Sequence, residues 1–236
     1  MKIRILFDKY AEHKRLHTGW GVSFLVGEKI LFDAGEKGLP LLENMKNLNI
    51  DIGRIEYVII SHDHWDHKGG LSDILEKNSN IRVYVCPGFG AGFKNEIRSH
   101  GVRLIEAGSF AVVSGNVYTT GEIGGRYAFR YMPEQALVLE TNRGLSVLTG
   151  CAHPGIIKII EYVKRNISGD IYLVLGGFHM MDKSKRAVRS VIDGFRRLDV
   201  KKAAPTHCTG EDATAAFRKT YGNDFVEVKV GRVIEV

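Results

Sequence analysis

The densest chemistry in the chain sits in seven consecutive residues, Ser61-His62-Asp63-His64-Trp65-Asp66-His67. His62 and His64 are two apart, so an extended backbone aims both side chains to the same side. Asp66 and His67 follow in a turn, which can aim them at a second point nearby. Neutral imidazole and carboxylate are donors that suit Zn²⁺, Fe and Mn²⁺. Four such donors in so short a run can build the halves of two adjacent metal sites. A polar turn rich in His by chance explains the run poorly, because ionisable groups at one strand end are costly when buried without partners.

His62-x-His64-x-Asp66-His67 resembles the metal-binding motif of the metallo-β-lactamase superfamily. Leu31-Phe32-Asp33-Ala34-Gly35 is similar to that family's early strand-Asp-x-Gly element, and Lys68-Gly69-Gly70-Leu71 to the glycine turn and helix after its metal motif. His207 stands where the family supplies its final His ligand. Three further stretches resemble one branch of it: Gly150-Cys151-Ala152-His153-Pro154-Gly155, Gly176-Gly177-Phe178-His179 and Pro205-Thr206-His207-Cys208-Thr209-Gly210. Glu134-Gln135-Ala136-Leu137 is a weaker fourth. That branch includes the archaeal dihydropterin–ribofuranosylaminobenzene phosphate synthase and many uncharacterised relatives. The resemblance runs across the whole chain. It implies an α/β fold, the αββα four-layer sandwich of two mixed β-sheets, with metals at one edge between the sheets. It also implies a ligand set, with His62 and His64 on a first metal and Asp66, His67 and His207 on a second. One or two divalent ions are expected, Zn²⁺ as the first choice with Fe or Mn²⁺ also suited.

In two places the chain departs from the superfamily pattern. A middle strand usually supplies the third ligand of the first metal, yet no His lies between Val117 and Leu137, and His153 is the best substitute. A Thr-Gly-Asp element usually bridges the metals, yet Thr149-Gly150 is followed here by Cys151. Cys151 is either a thiolate ligand or a small buried thiol lining the turn. Without the bridging carboxylate the second metal is expected to bind weakly or not at all. For His179 three readings stand together: a metal ligand, a proton donor to a leaving group, or a structural His. A general acid there is chemically sensible, since the metals already supply a nucleophile. Asp33 is expected behind a ligating His, fixing its tautomer, against the plainer reading of a turn Asp before Ala-Gly. Cys208 reads as packing beside His207. Lys183, Lys185 and Arg186 read as a solvated helix start rather than an anion contact. His13 and His17 lie in an N-terminal loop whose spacing ties them to nothing, and His100 reads as surface.

Divalent ions bring bound water toward a pKa of about 7 and polarise a carbonyl or phosphoryl oxygen. The expected activity is therefore hydrolysis of an ester, lactone, amide or phosphate ester by metal-bound hydroxide. Asp66, His67 and His207 would orient the nucleophile, and His62, His64 and His153 would hold the electrophilic metal. The alternative is the branch's transferase chemistry, in which a dihydropterinylmethyl diphosphate alkylates a ribofuranosylaminobenzene phosphate. Phe178, Tyr127 and Trp65 are candidate walls for its flat ring. A diiron redox protein is less favoured, since that branch adds a flavodoxin-like domain for which 236 residues leave no room. Nuclease branches carry an RNA-clamping insertion, and a non-enzymatic binding module would waste so dense a donor cluster.

These residues need strands to present them. The pattern reads as strands at residues 2–7, 20–26, 29–33, 55–60, 82–86 and 102–105, with a helix at 38–48. Hairpins follow at 110–113/116–120 and 135–141/145–149. The last third alternates: helix 154–166 opened by Pro154, strand 170–175, helix 183–198, strand 201–204, helix 211–221 and a final alternating strand 225–236. Every chemically loaded segment follows a strand, where open α/β folds place ligands. One continuous domain is the simplest organisation.

Composition agrees. Hydrophobic residues at 44% and charged residues at 25% describe a globular chain that can bury a core, which excludes disorder as the main state. Net charge is +6 without any run of five like charges, so no nucleic-acid-binding arm is present; the mild positive balance fits an anionic small-molecule substrate and equally a well-solvated surface rich in Lys and Glu. Three Cys make no disulfide framework. Asp8 interrupts any N-terminal signal-like stretch, and no apolar run reaches the roughly 20 residues of a membrane span. A soluble cytoplasmic protein with no membrane partner is the expectation.

Overall fold

The computed structural model describes residues 1–236. They divide into two compact units, residues 1–108 with 229–235, and residues 109–228 with Val236.

The first unit holds a mixed sheet. Its strands are β1 (Lys2–Phe7), β2 (Ser23–Val26), β3 (Ile30–Phe32), β4 (Tyr57–Ile59), β5 (Arg82–Val85) and β6 (Arg103–Glu106). They lie side by side in chain order, and the strand Val233–Glu235 is added outside β1. The pairs β1–β2 and β2–β3 are antiparallel. From β3 to β6 all pairs are parallel, so their carboxyl ends share one edge. β3 and β4 are short and buried throughout, as strands covered on both faces must be. The helices are α1 (Gly38–Asn47), α2 (Trp65–Lys68), α3 (Leu71–Lys77) and α4 (Ala91–Ser99). Leu41 and Met45 of α1 and Ile74 of α3 are fully buried in one core with Leu31, Val58 and Val83 of the sheet. Each such side chain contributes about 1.5–3 kcal/mol.

The second unit holds another mixed sheet. Its strands are β7 (Ala111–Ser114), β8 (Val117–Thr119), β11 (Leu137–Thr141), β12 (Gly144–Thr149), β13 (Ile171–Gly177) and β14 (Lys202–Thr206), in the order β14-β13-β12-β11-β8-β7. A separate hairpin is formed by β9 (Arg126–Tyr127) and β10 (Arg130–Tyr131). β12, β13 and β14 are parallel neighbours. The helices are α5 (Ile156–Asn166), α6 (Lys185–Arg197) and α7 (Glu211–Tyr221). The stripe Ile156, Ile159, Ile160 and Val163 is buried as its spacing requires. Phe178, Phe195 and Phe217 form an aromatic cluster with centroids 5.1–5.4 Å apart.

Four expectations change. The final strand is only Val233–Glu235, called β15 below. The alternating residues before it make single bonds, Val226 N–H to Ala203 O at 2.9 Å and Val230 N–H to Tyr10 O at 2.7 Å, rather than a ladder. Pro154 does not open α5, because Gly155 at φ 98° turns the chain and bonds back to Ala152 O at 2.8 Å. The turn after His64 is the helical segment α2. The β9–β10 hairpin carried no sequence signal, since its tip is Ala128-Phe129 rather than a glycine turn; both have positive φ. No helix is long and apolar enough to cross a membrane.

Candidate functional site

Each unit carries one donor cluster, and each cluster sits at the carboxyl ends of parallel strands.

In the first unit, β3 delivers Asp33 and β4 delivers residues 61–67. Asp33 is fully buried and takes a left-handed φ of 59°, a conformation that Asp tolerates better than most residues. Its Oδ1 accepts the Ser61 N–H at 2.6 Å, and its Oδ2 accepts the Ser61 hydroxyl and His67 Nδ1–H, both at 2.7 Å. This network assigns the His67 tautomer and leaves the lone pair on Nε2. Nε2 lies 3.5 Å from Asp66 Oδ2. The Ser61 hydroxyl has spent its proton on Asp33, so it accepts from His62 Nδ1 at 2.8 Å. The His62 lone pair is thereby on Nε2, 3.0 Å from His64 Nδ1. The His62 ring lies 4.8 Å from that of His64 and 4.1 Å from that of His67, centroid to centroid. His62 and His67 are fully buried and Asp66 nearly so. Lone pairs and a carboxylate thus converge in a dry place, a donor set that fits a divalent cation. Asp63 turns elsewhere, to Lys68 and to Gly90 N–H. His17 pairs with Glu43 at 2.6 Å, away from the cluster.

In the second unit, β12, β13 and β14 deliver Cys151 and His153, His179, and His207 and Cys208. Two trios have all their donor atoms within 4.8 Å of one another: Cys151, His153 and His179, and Cys151, His207 and Cys208. The His153 and His179 rings are 4.7 Å apart, and His179 Nδ1 is buried with no hydrogen-bond partner. Ala152, His179 and His207 all have φ between 51° and 58°. Strain of this kind persists only where surrounding bonds over-determine it. Burial pushes the Cys208 thiol up, but bonding to Cys151 and His179 and the charges of His207 and His179 outweigh that and hold it well below the ordinary thiol value.

One residue organises the 150–153 turn. Glu134 is fully buried. Its Oε1 accepts the N–H groups of Gly150, Cys151 and Ala152 at 3.1, 2.9 and 2.8 Å, and its Oε2 accepts that of His153 at 2.8 Å. In the sequence it showed only as the start of the weak stretch Glu134-Gln135-Ala136-Leu137. Ser61 and Cys208 were likewise not marked as site residues. Gly177 supports the cluster sterically: a Cβ there would lie 2.4 Å from Gly150 O and 2.6 Å from Cys208 Sγ. Gly177→Ala is therefore expected to lower unfolding stability by about 1–3 kcal/mol, read as a shifted denaturation midpoint at unchanged slope.

A cavity of about 550 Å³ opens beside this cluster, lined by Arg126, Tyr127, His153, Phe178, His179 and Lys183 among others. The Tyr127 ring stands 5.2 Å from that of His153 and 5.7 Å from that of His179. Lys183 thus reaches a cavity wall. Lys185 and Arg186 instead border a groove of about 1030 Å³ along α6 and α7.

Comparison with known proteins finds likenesses that run the length of the chain. A model of the beta-lactamase superfamily domain matches residues 28–127. The 7,8-dihydropterin-6-methyl-4-(beta-D-ribofuranosyl)-aminobenzene-5'-phosphate synthase of Methanocaldococcus jannaschii is 29% identical over 283 positions, covering 100% of this chain and 96% of the relative. An uncharacterized protein of the same organism is 28% identical over 268 positions, covering 99% and 100%. Among solved structures, a metal-dependent hydrolase of the beta-lactamase superfamily is similar at a TM-score of 0.84 and 27% identity, over 100% of this chain and 99% of that one. A metallo-beta-lactamase fold protein of Bacillus subtilis, 13% identical, shares the fold at a TM-score of 0.71, over 99% of each chain.

Proposed function

We propose, from the match of residues 28–127 to the beta-lactamase superfamily domain and the full-length likenesses, that the chain is a metal-dependent hydrolase of an anionic ester, phosphate ester or lactone. The observation that carries the reading is the convergence of the His62 and His67 lone pairs with the Asp66 carboxylate in a buried cluster. The ligands are His62, His64, Asp66 and His67 in the first unit and His153 and His207 in the second, with one or two divalent ions, Zn²⁺ before Fe or Mn²⁺. When bound, such an ion supplies a water nucleophile at neutral pH and polarises the scissile group. Asp33 holds His67 in its ligating tautomer. Arg126 and Lys183 attract the substrate's negative charge into the cavity. His179 gives a proton to the leaving group, consistent with a ring nitrogen that no protein group uses.

Elemental analysis of chelator-free protein tests this, together with a screen of phosphate esters and lactones before and after metal removal. About two metals per chain, about one in His207→Ala, and hydrolysis that chelation abolishes are the expected results. A metal-free, fully active chain would overturn the reading. About one metal in both proteins favours a mononuclear site.

A second reading is a dihydropterin-type transferase. The full-length likeness to the archaeal synthase supports it, as does the Tyr127 ring on the cavity wall. A pterin that quenches protein fluorescence, with no hydrolysis of any ester tested, would decide for it.

A further inference from the structure

The second unit holds more sulfur at its cluster than the ligand set above uses. Cys151 and Cys208 are both buried, and their sulfurs lie with a His207 ring nitrogen within 4.8 Å of one another. Cys86, the remaining cysteine, packs under Ser61 O at 3.8 Å with no donor trio of its own. The placement of Cys208 is enforced from several sides. Its carbonyl accepts Met180 N–H at 3.1 Å and Met181 N–H at 3.2 Å, which ties it to the end of β13. Its sulfur occupies the space that any side chain at position 177 would fill. His207 beside it is held at φ 51°. Cys151 is fixed through its N–H on Glu134 and accepts from Cys208 Sγ at its carbonyl, 3.7 Å away. A thiol that merely filled space would need none of this convergence.

We propose that Cys151, Cys208 and His207 together hold a metal ion through two thiolates and one imidazole. The proposal rests on the metal-dependent reading for His207 and adds Cys208 to it. Binding is ligand exchange without redox change: any proton still on either sulfur passes to solvent, and both sulfurs donate to the ion. Two thiolates neutralise a dication, which lowers the cost of placing it in a buried site. A set of two sulfurs and a nitrogen selects Zn²⁺ or another thiophilic ion over Mn²⁺ and Mg²⁺, which prefer oxygen. The missing bridging carboxylate then marks a change of metal preference rather than a lost site.

Cobalt(II) added to the metal-free full-length chain tests the proposal, because thiolate-to-cobalt charge transfer gives an intense near-ultraviolet band that imidazole and carboxylate do not. The expected result is this band in the wild type. Cys151→Ser and Cys208→Ser should each lower it by about half, and the double variant should abolish it. His64→Ala should keep it, since the band reports sulfur and this substitution removes none. Cobalt uptake with no thiolate band in the wild type would overturn the proposal, as would a band that Cys208→Ser leaves unchanged. The wild-type spectrum decides even where a variant fails to fold. A thiolate band without hydrolysis overturns only the functional reading, and metal-dependent hydrolysis without the band overturns only this one.

Discussion

Replacing Glu134 with alanine is expected to destabilise the protein by at least about 3 kcal/mol, because a buried carboxylate that accepts four backbone N–H groups is removed. Hydrogen bonds to a charged group are worth about 1.5–3 kcal/mol each, and the orphaned donors carry a further desolvation penalty. The four terms share one turn and will not add in full. Glu134→Gln separates charge from geometry. Its single amide oxygen can keep the Gly150, Cys151 and Ala152 bonds, but its NH₂ then meets His153 N–H, donor against donor. An intermediate loss of about 1–3 kcal/mol is expected for it. Urea titration of the three proteins measures the series. An alanine variant within about 0.5 kcal/mol of wild type would show that water or rearranged backbone replaces the carboxylate.

Asp33 is the corresponding support in the first unit. Asp33→Asn is expected to weaken metal binding by about 10–100-fold, the usual effect of losing a carboxylate behind a ligating His. Asn tolerates the left-handed φ of 59°, so the backbone is not disturbed. It has one oxygen for three donors, Ser61 N–H, Ser61 O–H and His67 Nδ1–H. At least one of these must therefore face the new NH₂, and a neutral amide oxygen holds the His67 tautomer less firmly than the carboxylate does. Asp33→Ala adds the strain of alanine in the left-handed region and is expected to cost about 3–5 kcal/mol of stability as well. Competition against a chelator gives the affinity, and thermal unfolding without metal gives the stability. Equal metal affinity in wild type and Asp33→Asn would refute the tautomer-fixing role.

What could be read beforehand was local. His62, His64, Asp66 and His67 declare themselves because four donors within six positions have few other uses. The mixed sheets followed from short apolar runs broken by glycine, and Asp33 from the resemblance of residues 31–35 to a strand-Asp-x-Gly element. Glu134 escaped notice because it acts on residues 16 to 19 positions away, through backbone N–H groups that leave no mark on side-chain spacing. Cys208 reads as packing because nothing local links it to Cys151, 57 positions earlier; parallel pairing of β12, β13 and β14 brings them together. Pro154 misled for a related reason: the turn that Glu134 holds ends at Gly155, and the helix begins only after it. The hairpin of residues 126–131 lacks the glycine or asparagine by which such turns are recognised.

The sheet of the first unit is joined at its outer side by β15, whose residues Val233, Ile234 and Glu235 pair with Arg4, Ile3 and Lys2. Ribosomal synthesis makes β1 first and its outer partner more than two hundred residues later. At roughly 5–20 residues per second, β1 then remains an edge strand for on the order of ten seconds or more. Its outward N–H and C=O groups are open to mispairing throughout that interval. Lys2 and Arg4 alternate with Ile3 and Ile5 along that strand, and charge on an edge is a common guard against wrong partners. The nascent chain thus carries its own protection at an edge that waits for the last strand of its sheet.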